Sequence, residues 1–139
     1  MSLYIWDTNH VSLYERSHSR ITERFRQTSP GEVFISIITA EEVMRGRLAG
    51  INSSKTEDER LARLYWFQKT LDLLKDFPIH AYSAEAKAGF DHLRRQKFRI
   101  GSQDLRIAAI ALSVGATLVT CNVVDFSKVP GLTIQDWTV

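Results

Sequence analysis

Four acids in this 139-residue chain each sit at the end of an apolar run, and that spacing restricts both the fold and the chemistry open to it. Asp7 closes Leu3-Tyr4-Ile5-Trp6. Glu42 lies just beyond Val33-Phe34-Ile35-Ser36-Ile37-Ile38. Asp104 opens the apolar stretch 105–114, and Asp125 follows Thr117-Leu118-Val119-Thr120. Runs of this kind are buried, so a fold that buries them carries the four carboxylates to one rim of its core. Ionised carboxylates crowded into a small site raise one another's pKa and resist desolvation. A cation relieves both costs. The pattern therefore predicts a hard divalent metal and metal-assisted chemistry.

The same runs set the fold class. Residues 1–6 read as a first strand, with 3–6 its apolar part. The run 33–37 is β-branched and apolar on both faces, as a central parallel strand is. Short strands are further expected at 79–82, 117–120 and 132–137. Helices are expected at 10–16, 20–27, 39–49, from the Ser54-Lys55-Thr56-Glu57 capping pattern to about 76, at 83–97 and at 103–114. On the long helix, Leu61, Leu64, Tyr65, Leu71 and Leu74 form the expected core face. Strands alternating with helices imply an α/β sandwich with a largely parallel sheet, and ligands of such folds bind beyond the carboxyl ends of the strands. Asp7, Glu42 and Asp125 all follow strands.

Composition narrows the class. At 44% hydrophobic residues the chain can bury a core as one domain, 1–139, without staples. Its one cysteine, Cys121, excludes an internal disulfide framework, suits the reducing cytoplasm, and reads as a small buried hydrophobe. No apolar stretch approaches the ~18 residues that span a membrane, and the N-terminus lacks the features of a signal peptide. A net charge of +2 is too mild to indicate a nucleic-acid partner by itself. The histidines, His10, His18, His80 and His92, are not spaced as zinc ligands and read as surface or structural residues, with His10 left open by its proximity to Asp7.

Each acid also has a structural explanation. Asp7 can cap the following helix, Glu42 can close a capping box with Thr39, Asp104 suits the positive end of its helix, and Asp125 can cap a turn. Only their joint arrival at one sheet edge makes them a site.

The segments Asp7-Thr8-Asn9, 36–46 (Ser36 through Glu42 to Gly46), 101–109 (Gly101 to Ala109) and 120–126 (Thr120 to Phe126), with the tail from Val129 to Trp137, resemble the PIN domain and, more narrowly, the VapC-type toxins of toxin–antitoxin modules. The resemblance runs from Tyr4 to Trp137. It implies a three-layer α/β/α sandwich with a mostly parallel sheet of four to five strands. It also implies an endoribonuclease dependent on Mg2+ or Mn2+ that hydrolyses RNA phosphodiesters through a metal-activated water. Asp7, Glu42 and Asp104 match the family's regular metal-site acids. Asp125 matches the fourth position, and Asn122 occupies a neighbouring one from which it contributes directly or through water. Register selects Glu42 over Glu41, since adjacent helical residues point about 100° apart. Thr8, Asn9, Ser36 and Thr39 are expected to orient the carboxylates by hydrogen bonds.

The resemblance further implies an RNA substrate, a cognate antitoxin and a homodimer. Arg45 and Arg47 follow Glu42, and Arg94, Arg95, Lys97 and Arg99 precede Asp104, so both groups are candidates to hold phosphates. A solvated helix end explains the second group equally well. Tyr65, Trp66, Phe67 and Leu73 make the long helix apolar on more than one face, which suits either a partner or enclosure within the monomer. Competing functions are a processing nuclease without a toxin role and a non-catalytic RNA- or partner-binding module. A phosphotransfer domain lacks a supporting lysine at a later strand end.

Overall fold

The computed structural model describes residues 2–139; the N-terminal residue of the expected first strand, Met1, lies outside them. Among these residues, five strands and seven helices follow one another as β1 (Tyr4–Trp6), α1 (Thr8–Glu15), α2 (Ser19–Gln27), β2 (Val33–Ser36), α3 (Ile37–Asn52), α4 (Glu57–Leu74), β3 (Ile79–His80), α5 (Ala84–Arg95), α6 (Ser102–Ser113), β4 (Thr117–Val119), α7 (Val123–Phe126) and β5 (Ile134–Gln135). The sheet order is β3-β2-β1-β4-β5, and every pairing is parallel. The expected α/β fold is the observed one.

Strand periodicity distributes the core. Ile5 of β1 and Leu118 of β4 point to one face, where they meet Ala86, Phe90 and Leu93 of α5 and Ile107, Ala108 and Ala111 of α6. Trp6, Ile35 and Val119 point to the other, where Val11, Ile21, Val43 and Phe77 cover them. Because both faces are buried, the strands read as unbroken apolar runs rather than alternating ones. Trp6 anchors the second face, with edge or tilted contacts to Tyr14, Phe25, Phe77 and Trp137 at centroid distances of 5.2–5.7 Å.

Several boundaries differ from the sequence expectation for local reasons. α1 starts at Thr8 because Asp7 caps it, its carboxylate accepting the His10 N–H at 3.3 Å. α3 starts directly after β2 because Ser36, not Thr39, is the cap and accepts the Thr39 N–H at 3.1 Å. α3 then runs through Gly46 and Gly50 to Asn52, consuming part of the expected loop. α4 is capped by Thr56 rather than Ser54. α6 follows Gly101 without a side-chain cap, and Gly115, at φ +66°, ends the turn beyond it. The short α7 was not expected. The largest departure concerns α4. Most of its expected core face is exposed, with Leu61 at 71% and Leu64, Tyr65 and Leu71 also open to solvent; of that face Leu74 alone packs against the core, and only Thr70 of the helix is buried.

Three helices are joined by one polar knot. The nearly buried Glu15 carboxylate of α1 pairs with Arg47 of α3 and accepts a hydrogen bond from Thr70 of α4 at 2.7 Å. Arg47 Nε also donates to Thr70 at 3.0 Å. Removing one partner strands a buried charge. Arg47→Ala is therefore expected to cost about 3 kcal/mol in urea denaturation. Glu15→Gln, which keeps the shape and removes the charge, should cost less.

Candidate metal centre

The register of β1 with β4 builds the first part of the site. Trp6 pairs with Val119, so the next residues, Asp7 and Thr120, leave adjacent strands side by side at their carboxyl ends. The Asp7 N–H donates to Val119 O at 3.0 Å, and the buried Thr120 hydroxyl donates to Asp7 Oδ2. Asp7 Oδ1 meanwhile caps α1. Two chain segments thus hold a carboxylate that is only 5% exposed. Asp7 serves as helix cap and cleft acid together, so the structural and functional readings of this residue do not compete.

A cleft of about 330 Å³ opens over Asp7, lined by Thr8, Asn9, Glu42, Asp104 and Asn122 among others. Thr8 Oγ1 donates to Glu42 Oε1 at 2.7 Å, tying α1 to α3. Asp104, in the first turn of α6, is half-buried. Burial, then the negative charges of Glu42, Asp7 and Asp125, push its carboxyl up to about 6. The Asp104 carboxyl therefore feels the charge of all three other acids. Glu41 points elsewhere, pairing with Arg45 at 2.6 Å and accepting from Gln103 at 3.0 Å.

Asp125 and Asn122 divide the fourth place. Asn122 lines the cleft, whereas Asp125 stands at its edge, accepting from Asn122 Nδ2 at 3.1 Å and from Lys128 Nζ at 3.3 Å. These two hydrogen bonds hold the Asp125 carboxyl below the usual carboxylate range. Asn122 itself is oriented by its backbone N–H, which donates to Thr120 Oγ1 at 2.9 Å.

The other expected residues separate. Asn9 lines the cleft but spends its Oδ1 on His10 at 3.2 Å. Ser36 and Thr39 bond each other and contact no acid; their work is the start of α3. Arg47 is locked to Glu15 and is not a free phosphate ligand. Arg45 is exposed on the rim and paired with Glu41. Arg94 lies over Phe90 on the flank of α5, and Arg95 and Lys97 are exposed. Arg99 is exposed, and its backbone carbonyl lies 3.5 Å from Lys128 Nζ, which also donates to Asp125.

Thr120 is not singled out by the sequence, and His10, left open there by its proximity to Asp7, supports the site. Thr120 is the main side-chain donor to Asp7, and the signal was its place one residue beyond the paired ends of β1 and β4. His10 is fully buried, and its Nε2 accepts the Trp137 N–H at 3.2 Å, fastening the C-terminal segment behind Asp7. His10, Cys121 and Asp136 lie within 4.8 Å of one another. The His10 Nδ1 faces Asn9 Oδ1 at 3.2 Å and Cys121 Sγ at 3.8 Å, so both ring nitrogens are engaged within the chain. Cys121 is exposed rather than buried.

All donors in the cleft are hard oxygens, and crowding already raises one of their pKa values. Both features fit a hard divalent cation. The chain is similar to known proteins. A family model for the PIN domain matches residues 4–132. The chain is 32% identical over 139 residues to "Ribonuclease VapC2" of Haemophilus influenzae, covering 99% of each. It is 29% identical over 140 residues to "tRNA(fMet)-specific endonuclease VapC" of Shigella flexneri, covering 99% of this chain and all of that one. Among solved structures it is similar to VapBC-1 from nontypeable Haemophilus influenzae, with a TM-score of 0.75, 27% identity and 99% of each chain covered.

The raised Asp104 pKa sets a pH dependence. Its carboxyl titrates near 6 in the fold and near its ordinary 3.8 in the unfolded chain. Protonation therefore favours the fold. Its stabilising contribution is full below about pH 4 and is lost as pH rises through 6. Without divalent cations, Asp104→Asn is expected to stabilise the protein at pH 7 by on the order of 1 kcal/mol, after discounting for solvent at a half-buried site. It should also flatten the profile between about pH 4 and 6, as read by urea denaturation in chelator.

Proposed function

From the premise that this chain belongs to the PIN domain family and to its VapC-type branch, we propose that it is an endoribonuclease and the toxin of a toxin–antitoxin pair. The observation that carries the reading is the cleft that Asp7, Glu42 and Asp104 line together, where their negative charges repel one another and raise Asp104. A chain that only bound a partner would have no use for this repulsion.

The ion proposed for the cleft is Mg2+ or Mn2+, held by Asp7, Glu42 and Asp104 with Asn122 directly or through water, and with Asp125 at the margin. When bound, such an ion supplies Lewis acidity toward a phosphoryl oxygen and lowers the pKa of water. The chain's own residues prepare the cleft. Thr120 and the His10 N–H fix Asp7 and Thr8 fixes Glu42, and a bound cation would lower the raised pKa of Asp104. Lys128 holds the basic segment around Arg99 against the Asp125 edge, where Arg99 meets an incoming phosphate chain. Arg45 is the second rim cation; its exposed pairing with Glu41 is weak enough to exchange for a phosphate or for an acid of an antitoxin.

The exposed apolar face of α4 supports a homodimer, with Leu61, Leu64 and Tyr65 covered by a second copy. No helix among the described residues is long and apolar enough to cross a membrane. An RNA-directed toxin of this kind works in the cytoplasm.

Purified protein is expected to cleave single-stranded RNA with Mg2+ and to stop when the ion is chelated. Asp7→Ala and Asp104→Ala should each lower kcat/KM by about a hundredfold or more with unchanged circular dichroism. Unaltered cleavage in both variants would put the chemistry elsewhere. For the dimer, light scattering on Leu61→Glu should report a monomer; a dimer unchanged by that substitution removes α4 from the interface.

A further inference from the structure

Three cavities join into one groove leading away from the acids. The acid cleft shares Thr8 and Glu42 with a second cavity of about 240 Å³, and that cavity shares Arg16 and Arg47 with a third of about 260 Å³ that ends on Trp66. One wall is the α1 face carrying Thr8, Ser12 and the C-cap Arg16, spaced four apart. The other is the α3 face carrying Glu42 and Gly46, also four apart. Trp66 closes the far end with 44% of its surface exposed.

The charge along the groove is uneven. Arg47 is balanced by the nearly buried Glu15. Arg16 is exposed, and its guanidinium makes no ion pair among the described residues. One free cation and one open indole therefore lie in line beyond an acid centre. Gly46 adds an independent observation. It sits inside a helix, where glycine is unfavourable relative to alanine. Its φ is not positive, and a Cβ there would meet nothing within 4 Å, so neither backbone geometry nor packing within the chain calls for it. It is exposed, and it opens on the groove. Gly50, one turn on, is equally open but lies outside the groove.

We infer that this groove is the track of a single RNA strand leaving the acid centre, with Arg16 pairing to a phosphate, Trp66 stacking on a base, and Gly46 giving the strand clearance over α3. The inference rests on the nuclease reading for its substrate. A backbone with a regularly spaced anion and a flat ring matches a cation followed by an aromatic. An acidic peptide segment offers the anion but not the repeating ring.

The test measures binding apart from cleavage. Fluorescein-labelled oligouridine is titrated by anisotropy against Asp104→Asn protein carrying each further substitution, at several salt concentrations. Arg16→Ala is expected to weaken binding about tenfold and to reduce the slope of log affinity against log salt by about one. Trp66→Ala should weaken it on the order of tenfold with the slope unchanged. Gly46→Ala should raise the melting temperature by a few degrees yet weaken binding and raise KM in the otherwise native protein, a split that a purely structural role does not produce. Gly50→Ala should raise the melting temperature alike and leave KM unchanged. Affinity retained in all three groove variants overturns the track. If the native protein meanwhile cleaves RNA and Asp104→Asn does not, the nuclease reading stands without it. Groove variants that keep RNA affinity but lose an acidic peptide or the antitoxin give the groove to a protein partner and also overturn the proposal.

Discussion

The Asp7 carboxylate is 5% exposed, shares its surroundings with other acids, and makes no ion pair with a lysine or arginine among the described residues. It accepts hydrogen bonds from the Thr120 hydroxyl at the end of β4 and from the His10 N–H at the start of α1, and the His10 ring lies 3.6 Å from its Oδ1. Both donors need the central strands in register, because Trp6 and Val119 must pair for Asp7 and Thr120 to emerge together. The rest follows from that pairing. Thr8, fixed by the cap, reaches Glu42, and His10, fixed by the same turn, fastens Trp137 behind the site. A polar group buried this deeply without its donors would cost several kcal/mol, so the register and the acid centre stabilise or fail together.

Much of this is legible in the sequence because burial and parallel pairing leave periodic marks. Apolar runs on both faces of β1, β2 and β4 predict buried parallel strands, and the rule that ligands lie beyond the carboxyl ends places Asp7 and Glu42 without coordinates. What stays hidden is what a side chain does with its hydrogen bonds. Ser36 and Thr39 stand near the acids in sequence, yet they spend their hydroxyls on starting α3. Arg47 follows Glu42 as Arg45 does, but two residues on a helix turn it by about 200° into the buried knot with Glu15 and Thr70. Thr120 passed unremarked because its importance depends on the strand beside it, not on its neighbours in the chain.

The long helix shows the complementary limit. Leu61, Leu64, Tyr65 and Leu71 recur at helical spacing and therefore read as a core stripe. Periodicity reports that a face is covered and is silent about what covers it. Here the second sheet face is already filled by Val11, Ile21, Val43 and Phe77, and α4 contributes mainly Thr70, Leu73 and Leu74 from its last turns. The stripe left over is exposed, and it is the face to which the proposed homodimer is assigned.

The placement of positive charge completes the electrostatic argument. A cation of the chain inside the cleft would neutralise the acids and compete with a metal. One too far away would not guide an anionic strand, because screening limits its reach to about 10 Å at moderate salt. The chain instead puts its cations outside the acids on two sides. Lys128 and the segment around Arg99 flank the Asp125 edge, and Arg16 stands along the groove beyond Glu42. Glu41 and Glu15 hold Arg45 and Arg47 so that neither folds into the cleft. A strand drawn between the two positive margins must cross the acids, and its own phosphate then shares with those acids the demand for a divalent ion. In the proposed nuclease, a divalent ion would relieve the repulsion that raises Asp104 in the free protein, and metal and substrate would then favour each other's binding.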